Sequence, residues 1–501
     1  MSSDFVAKDR CPARMLVPTL IGGNRNIVAA SPAAAPGPKQ RLRRRSADLR
    51  LSFSPRKVSD DAQRLMSCII GADDATGNLA HDAVSAVEMH LLQTGWPVGE
   101  PLGGLRDVQK SLGLGRPAFR EAMIILEARG LLDVRRGPGG GLFVAAPTAE
   151  DVVGAMLMYL TLSGASADCI QEFRLLVWRM VVEAAIDRGV GAPGTGANAG
   201  KWGFAVDLAH RIGNPAIASA AQVAEMLVRA CEGRPAPGHD VLLERALRAR
   251  DARQAFSRLE HLANPGNLAT PLLALESLER SFAWSGRKSA TALAARMTRE
   301  MIHRPEKLEA EWETADRLGY SDAAVRQARR ILQDFGAVRC QRGRKGAVWA
   351  APASAAGVIR LLAPWLIATG MTTRDNTETA NFLACSAPRL AAGRATGYGR
   401  AQTKVMGAFA NNLEFIDLIR IENLLLELAG NPLLSIMTRS LGLANLLSLE
   451  ARISMPRLVE IVAINRRILR AIGAGDAETA DLFARAKGEI QQSGASYRKL
   501  A

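Results

Sequence analysis

Between Leu105 and Val144 the chain reads LRDVQKSLGLGRPAFREAMIILEARGLLDVRRGPGGGLFV. Arg106 to Leu112 has the apolar spacing of a short helix, and Gly113-Leu114-Gly115 is a turn. Pro117 suits a first helical position, Ala118 to Arg129 continues as the third helix of the unit, and Gly130 ends it. Leu131 to Arg135 and Leu142 to Ala145 read as short strands joined by Gly137-Pro138-Gly139-Gly140-Gly141, and Pro147 closes the unit. Upstream, Leu79 to Leu92 is amphipathic and stops at Gly95-Trp96-Pro97. This order predicts a winged helix-turn-helix over residues 73–147.

The pattern restarts farther along the chain. Ala290 to Met301, Glu311 to Gly319, Asp322 to Phe335 and Val338 to Trp349 follow the same succession of three helices and a hairpin. Arg326 matches Arg120 and Gly336 matches Gly130, both at an offset of 206 (326 − 120 and 336 − 130). Gly213-Asn214-Pro215 recurs as Gly430-Asn431-Pro432. The reading is a tandem duplication of a two-domain unit. The expected fold is mostly α, with two winged helix-turn-helix domains, each followed by an all-helical bundle. The expected domains are a disordered basic segment over 1–72, heads over 73–147 and 286–352, and helical domains over 148–268 and 353–501. Within the first helical domain, Val152 to Ile186 reads as strongly helical and Gly189 to Gly200 as a linker.

A net charge of +15 suits a polyanionic partner, although a solvated surface plus the basic run at Arg41, Arg43, Arg44 and Arg45 would give the same excess. Six cysteines without CxxC spacing favour no disulfide framework or zinc motif, and a reducing compartment is the simple expectation. No apolar run reaches the roughly 18 residues of a membrane span, so no membrane partner is expected. Phosphate-loop, nucleophile-elbow and zinc-protease motifs are missing from the sequence, which argues against an enzyme.

A DNA reader needs donors at the leading end of a helix that fits the major groove. Arg116 starts the third helix of the first head and Arg120 is one turn on, while Arg106 lies where a phosphate would pass. The wing offers Arg135, Arg136 and a glycine tip, with Gly139 and Gly141 leaving room for close approach to DNA. In the second head, Trp312 and Asp322 stand where the first has Arg106 and Arg116. Arg326 survives, and the wing carries Arg339, Arg342, Arg344 and Lys345. That head either grips the backbone without reading bases or has a different sequence preference.

These residues resemble the GntR family of bacterial transcription regulators, in its FadR-type branch. The likeness runs through Arg106-Asp107-Val108, Leu112-Gly113, Arg116-Pro117, Phe119-Arg120-Glu121-Ala122-Met123, Leu126-Glu127, Gly130-Leu131 and Gly139-Gly140-Gly141-Leu142-Phe143-Val144. Leu105 departs from it, since the family usually has an acid there. The resemblance implies a DNA-binding transcription regulator, cytoplasmic and nucleoid-associated in a bacterium, with Arg106, Arg116 and Arg120 on DNA. It also implies a helical effector domain in which an Asp and three His often hold a metal. Here Leu418, Glu422, Asn465 and Lys487 stand at those positions in the second bundle. In the first bundle Lys201 and Ala205 replace two ligands, and His239 and His261 fall near the others. No metal or other cofactor is therefore expected. Lys487 would suit the carboxylate of a small organic acid effector, or would be solvated near the chain terminus. The bundles would sense such a ligand, or serve only to pair the heads as a homodimer or an intrachain pseudo-dimer. The alternative is an interaction scaffold whose DNA heads are vestigial.

Overall fold

The abundance of Ala and Leu is realised as helix through most of the chain. The computed structural model describes residues 60–71, 79–135, 137, 140–191, 203–232, 240–262, 270–276, 289–303, 308–340, 348–351, 353–394, 415–446 and 455–496. The first half runs α1 (Asp60–Ile70), α2 (Leu79–Gln93), β1 (Pro101–Gly103), α3 (Leu105–Ser111), α4 (Arg116–Ala128), β2 (Leu132–Arg135), β3 (Gly141–Val144), α5 (Ala149–Leu162), α6 (Asp168–Arg188), α7 (Phe204–Ile212), α8 (Pro215–Glu232), α9 (Val241–Arg248) and α10 (Ala252–Leu262). The second half runs α11 (Ser289–His303), α12 (Glu311–Leu318), α13 (Asp322–Asp334), β4 (Val338–Cys340), β5 (Val348–Ala350), α14 (Ala356–Ala368), α15 (Thr373–Arg394), α16 (Phe415–Leu428), α17 (Pro432–Asn445), α18 (Met455–Ala474) and α19 (Ala477–Ser496). Apart from α1 and β1, the described elements of both halves come in one order. The elements from α2 to β3 are called the first head, and those from α11 to β5 the second.

Local chemistry explains the first head. Gly113 turns the chain between α3 and α4 at a φ of 63°, a conformation that favours glycine. Gly130 ends α4 at a φ of 69°, and an added Cβ there would lie 3.6 Å from Pro147. Strands pair in the antiparallel order β1-β3-β2, with Leu132 opposite Val144 and Arg135 opposite Gly141. Trp96 is buried beneath this sheet and its indole N–H donates to the Ala145 carbonyl at 2.8 Å. In the second head the described strands form a two-stranded pair, with Val338 opposite Ala350.

One expectation needs correction. The segment to residue 72 was expected to lack structure, yet Asp60–Ile70 is a helix whose Met66, Ile69 and Ile70 are buried. It docks on α16 and α17, where Asn423 donates to the Cys68 carbonyl at 2.8 Å and Arg439 to the Ile69 carbonyl at 2.6 Å. A single apolar stripe this short is marginal alone and is stabilised by a face distant in sequence. The Val152 to Ile186 stretch is helical, in two helices separated at Gly164, which has a φ of 66°.

The two halves join by reciprocal contacts. Asn214 caps α8 through Oδ1, while its amide donates to the Asp375 carbonyl at 3.2 Å and to Glu378 at 3.1 Å. Asn431 caps α17 in the same way and donates to the Cys169 carbonyl at 3.0 Å and to Glu172 at 2.7 Å. Arg188 pairs with Glu378 at 2.6 Å, and Arg394 pairs with Glu172. Both residues of this exchange are 206 apart (394 − 188 and 378 − 172), so each half offers the other the same groups. That is the pattern of an isologous interface, here within one chain.

Nearer the heads, the guanidinium of Arg129 bridges Glu88 of α2 and both carboxylate oxygens of Asp334 at the end of α13. Arg360 of α14 approaches Glu88 at 3.7 Å. Burial pushes the nearby His81 imidazole below its ordinary pKa, with Asp334 and Glu121 opposing the shift and Arg129 and Arg360 adding to it. The unfolded chain therefore takes up the proton first, near pH 6.5. Stability supplied by neutral His81 is present above about that pH and is lost as the pH falls through it. Urea denaturation at about pH 7 and about pH 5.5 will show a smaller loss for His81→Gln than for the wild type. Parallel losses would exclude His81 as the source.

Candidate nucleic-acid interface

The first head presents Arg106 in the first turn of α3, Arg116 as the first residue of α4, and Arg120 one turn later. All three are exposed, and among the described residues none has a carboxylate partner. The start of α4 is poor by the standards of helix stability. Its N-cap is Gly115, without a side-chain cap, and the first turn holds no acid. Arg116 instead sets a cation at the positive end of the helix dipole. Free backbone N–H groups and a guanidinium at one helix start form a receptor for an anionic oxygen. The matching end of α13 is built for stability. Ser321 caps the Ala324 N–H at 3.3 Å, and Asp322 lies in the first turn.

The β2–β3 hairpin departs from expectation. Arg135 stacks on Phe143 at 3.9 Å and pairs with Asp133 at 3.1 Å, both charges being exposed. Such a surface pair contributes little and is screened by salt. Gly141 was expected on an open tip that approaches DNA. It is buried in β3, where an added Cβ would come within 2.9 Å of the Gly103 carbonyl oxygen, so its small size serves the sheet. Gly140 is needed for the turn itself, since a Cβ would strike the Arg135 carbonyl oxygen. Arg136 and Gly139 lie outside the described residues, as do Arg342, Arg344 and Lys345 of the second wing.

In the second head Arg326 is exposed but held by Glu311 at 2.9 Å. Asp322 is exposed, and so is Trp312. Sequence spacing placed these residues on the matching surface but did not reveal the Glu311 pair.

The bundles hold their charges in pairs. Glu225 accepts both Arg174 donors at 2.9 and 3.0 Å and the Trp178 indole N–H at 2.7 Å, all buried. In the second bundle Lys487 is not solvated. Its side chain has no exposed surface, and the ammonium donates to Glu422 at 2.6 Å. The carboxylate expected at Lys487 is thus the protein's own. Leu418 and Asn465 are buried. In the first bundle Ala205 is buried and His261 exposed, whereas Lys201 and His239 lie outside the described residues. Among the described residues no cluster of three or more His, Cys, Asp or Glu could hold a metal ion, and no helix is long and apolar enough to cross a membrane.

No family model matches the chain, and no curated protein does. Among solved structures it is similar to a Streptococcus agalactiae GntR chain, at 19% identity over 41% of this chain and 99% of that one, with a TM-score of 0.32. So low a score supports no structural inference.

Proposed function

We propose that the chain is a sequence-specific DNA-binding transcription regulator, in which α4 reads the major groove and the helical bundles keep two unequal heads paired within one polypeptide. The observation that carries this reading is the set Arg106, Arg116 and Arg120, exposed and, among the described residues, without carboxylate partners, on two helices joined by a glycine turn. Unpaired guanidiniums at a helix start are costly to the fold, and an anionic ligand offsets that cost. The antiparallel sheet beside α4 supports a wing. The reciprocal contacts of Asn214, Asn431, Arg188 and Arg394 support a duplicated unit that forms its dimer in cis. GntR-like residues across the first head agree with this assignment.

The test is equilibrium binding to fragments of genomic DNA, read by gel shift and fluorescence anisotropy. Arg116→Ala and Arg120→Ala should each cost about 1–3 kcal/mol in specific binding. The binding constant should fall steeply with salt, since each neutralised phosphate contributes roughly 0.9 to the log–log slope. A double variant that binds as tightly as the wild type would remove α4 from recognition and leave the scaffold reading.

A further inference from the structure

The start of α4 and the surface of α13 line a single groove of about 650 Å³. Its walls include Arg116, Arg120, Glu121 and Ile124 from the first head, with Arg326 and Arg330 from the second. In each helix the two arginines are four residues apart, so they form a stripe along one face. Four guanidiniums thus line a hollow to which the lining contributes one carboxylate. Glu121 reaches Arg330 only at 3.9 Å, whereas Glu311, from α12, holds Arg326 at 2.9 Å. The far ends of the two helices are tied by the buried contact between Arg129 and Asp334. The two stripes are therefore held in fixed register.

We infer that this groove is a composite seat for DNA, in which Arg330 is the backbone-phosphate contact supplied by the second head. The inference rests on the proposed DNA-binding function and extends it to the second head. Arg330 was not legible as a site residue, because its counterpart in the first head at the same offset is Ile124 (330 − 206). Arg326, the residue that does match, is the one held away by Glu311. A rigid pair of stripes on one chain engages one continuous stretch of duplex, so one chain completes the site. A second copy would add nothing to the groove.

The experiment uses the full chain and a fluorescein-labelled random-sequence duplex of about 30 bp, roughly three helical turns. Arg330→Ala should weaken binding about 5- to 10-fold and lower the salt slope by about one. Arg330→Lys should keep most of the slope, because a phosphate accepts either cation. Glu311→Gln, which releases Arg326, should tighten binding a few-fold. Sedimentation at saturation should give one chain per duplex bound in the groove. If Arg330→Ala binds as the wild type does while Arg116→Ala and Arg120→Ala lose affinity, the composite seat is wrong and the proposed function stands. If none of the three alters binding, both fall. Two chains per duplex at the onset of binding would also overturn the single-chain site. Thermal melting of Arg330→Ala separates lost contact from lost fold, and an unfolded variant passes the decision to Glu311→Gln, whose unchanged affinity would count against the seat.

Discussion

Replacing Gly115-Arg116 with the Ser-Asp pair found at the start of α13 should abolish DNA recognition without harming the fold. Gly115 is an extended N-cap, at φ −65° and ψ 153°, which serine adopts freely, and an added Cβ meets nothing closer than Pro117 at 3.8 Å. A serine cap and an acid in the first turn should together raise stability by about 1 kcal/mol. Binding should fall by about a hundredfold or more, since one guanidinium contact worth about 1–3 kcal/mol is lost and a carboxylate is set against phosphate. Denaturation and anisotropy on one preparation measure both effects. A variant that melts higher and still binds DNA would show that the α4 start plays no part in recognition.

Removing the carboxylate of Asp334 should cost about 3–5 kcal/mol, the usual penalty for breaking a buried pair by taking one partner. Arg129, Glu88 and Asp334 side chains are 6%, 5% and 7% exposed. Burial pushes the Arg129 guanidinium down, and Asp334 with Glu88 outweighs it, holding the group above its ordinary value and charged. With Arg360 near Glu88, the cluster balances two cations against two anions across the two halves. Asp334→Ala leaves an excess positive charge in a dry site. Chemical denaturation should show the loss, and a change below about 1 kcal/mol would mean that water or a rearranged partner replaces the aspartate. Because Asp334 belongs to α13 and Arg129 follows α4, the same variant should also loosen the register of the two heads and weaken DNA binding.

What could be read locally was read from residues that act within a turn or two of themselves. Gly113 and Gly130 punctuate the first head because their backbone angles favour glycine, and Pro117 opens α4 because its fixed φ suits a helix start. The exposed faces of Arg106, Arg116 and Arg120 follow from helical spacing alone. The offset of 206 shared by Arg120 with Arg326 and by Gly130 with Gly336 is likewise legible in the sequence. Misreadings came where a residue's role depends on a distant partner. Its place in the sequence puts Gly141 at an open tip, yet Gly103 lies against it, and Lys487 reads as a terminal cation, yet Glu422 lies beside it. The helix Asp60–Ile70 follows a Pro- and Arg-rich tract, and its apolar stripe is covered by α14, α16 and α17, all distant in sequence.

The sequence by itself determined the helices, the glycine turn and the helix positions of Arg106, Arg116 and Arg120 in the first head, because those depend on backbone angles and on neighbours three or four residues away. Tertiary structure alone decided that Asn214 and Asn431 cap their own helices and also bind the opposite half. It decided that Arg129 meets Asp334 across 205 residues, and that Arg330 shares a groove with Arg116 and Arg120. Helical periodicity records which face of a helix is apolar, but not which of many such faces covers it. That choice is made by packing and charge pairing between surfaces that meet only once the chain has closed loops of some two hundred residues.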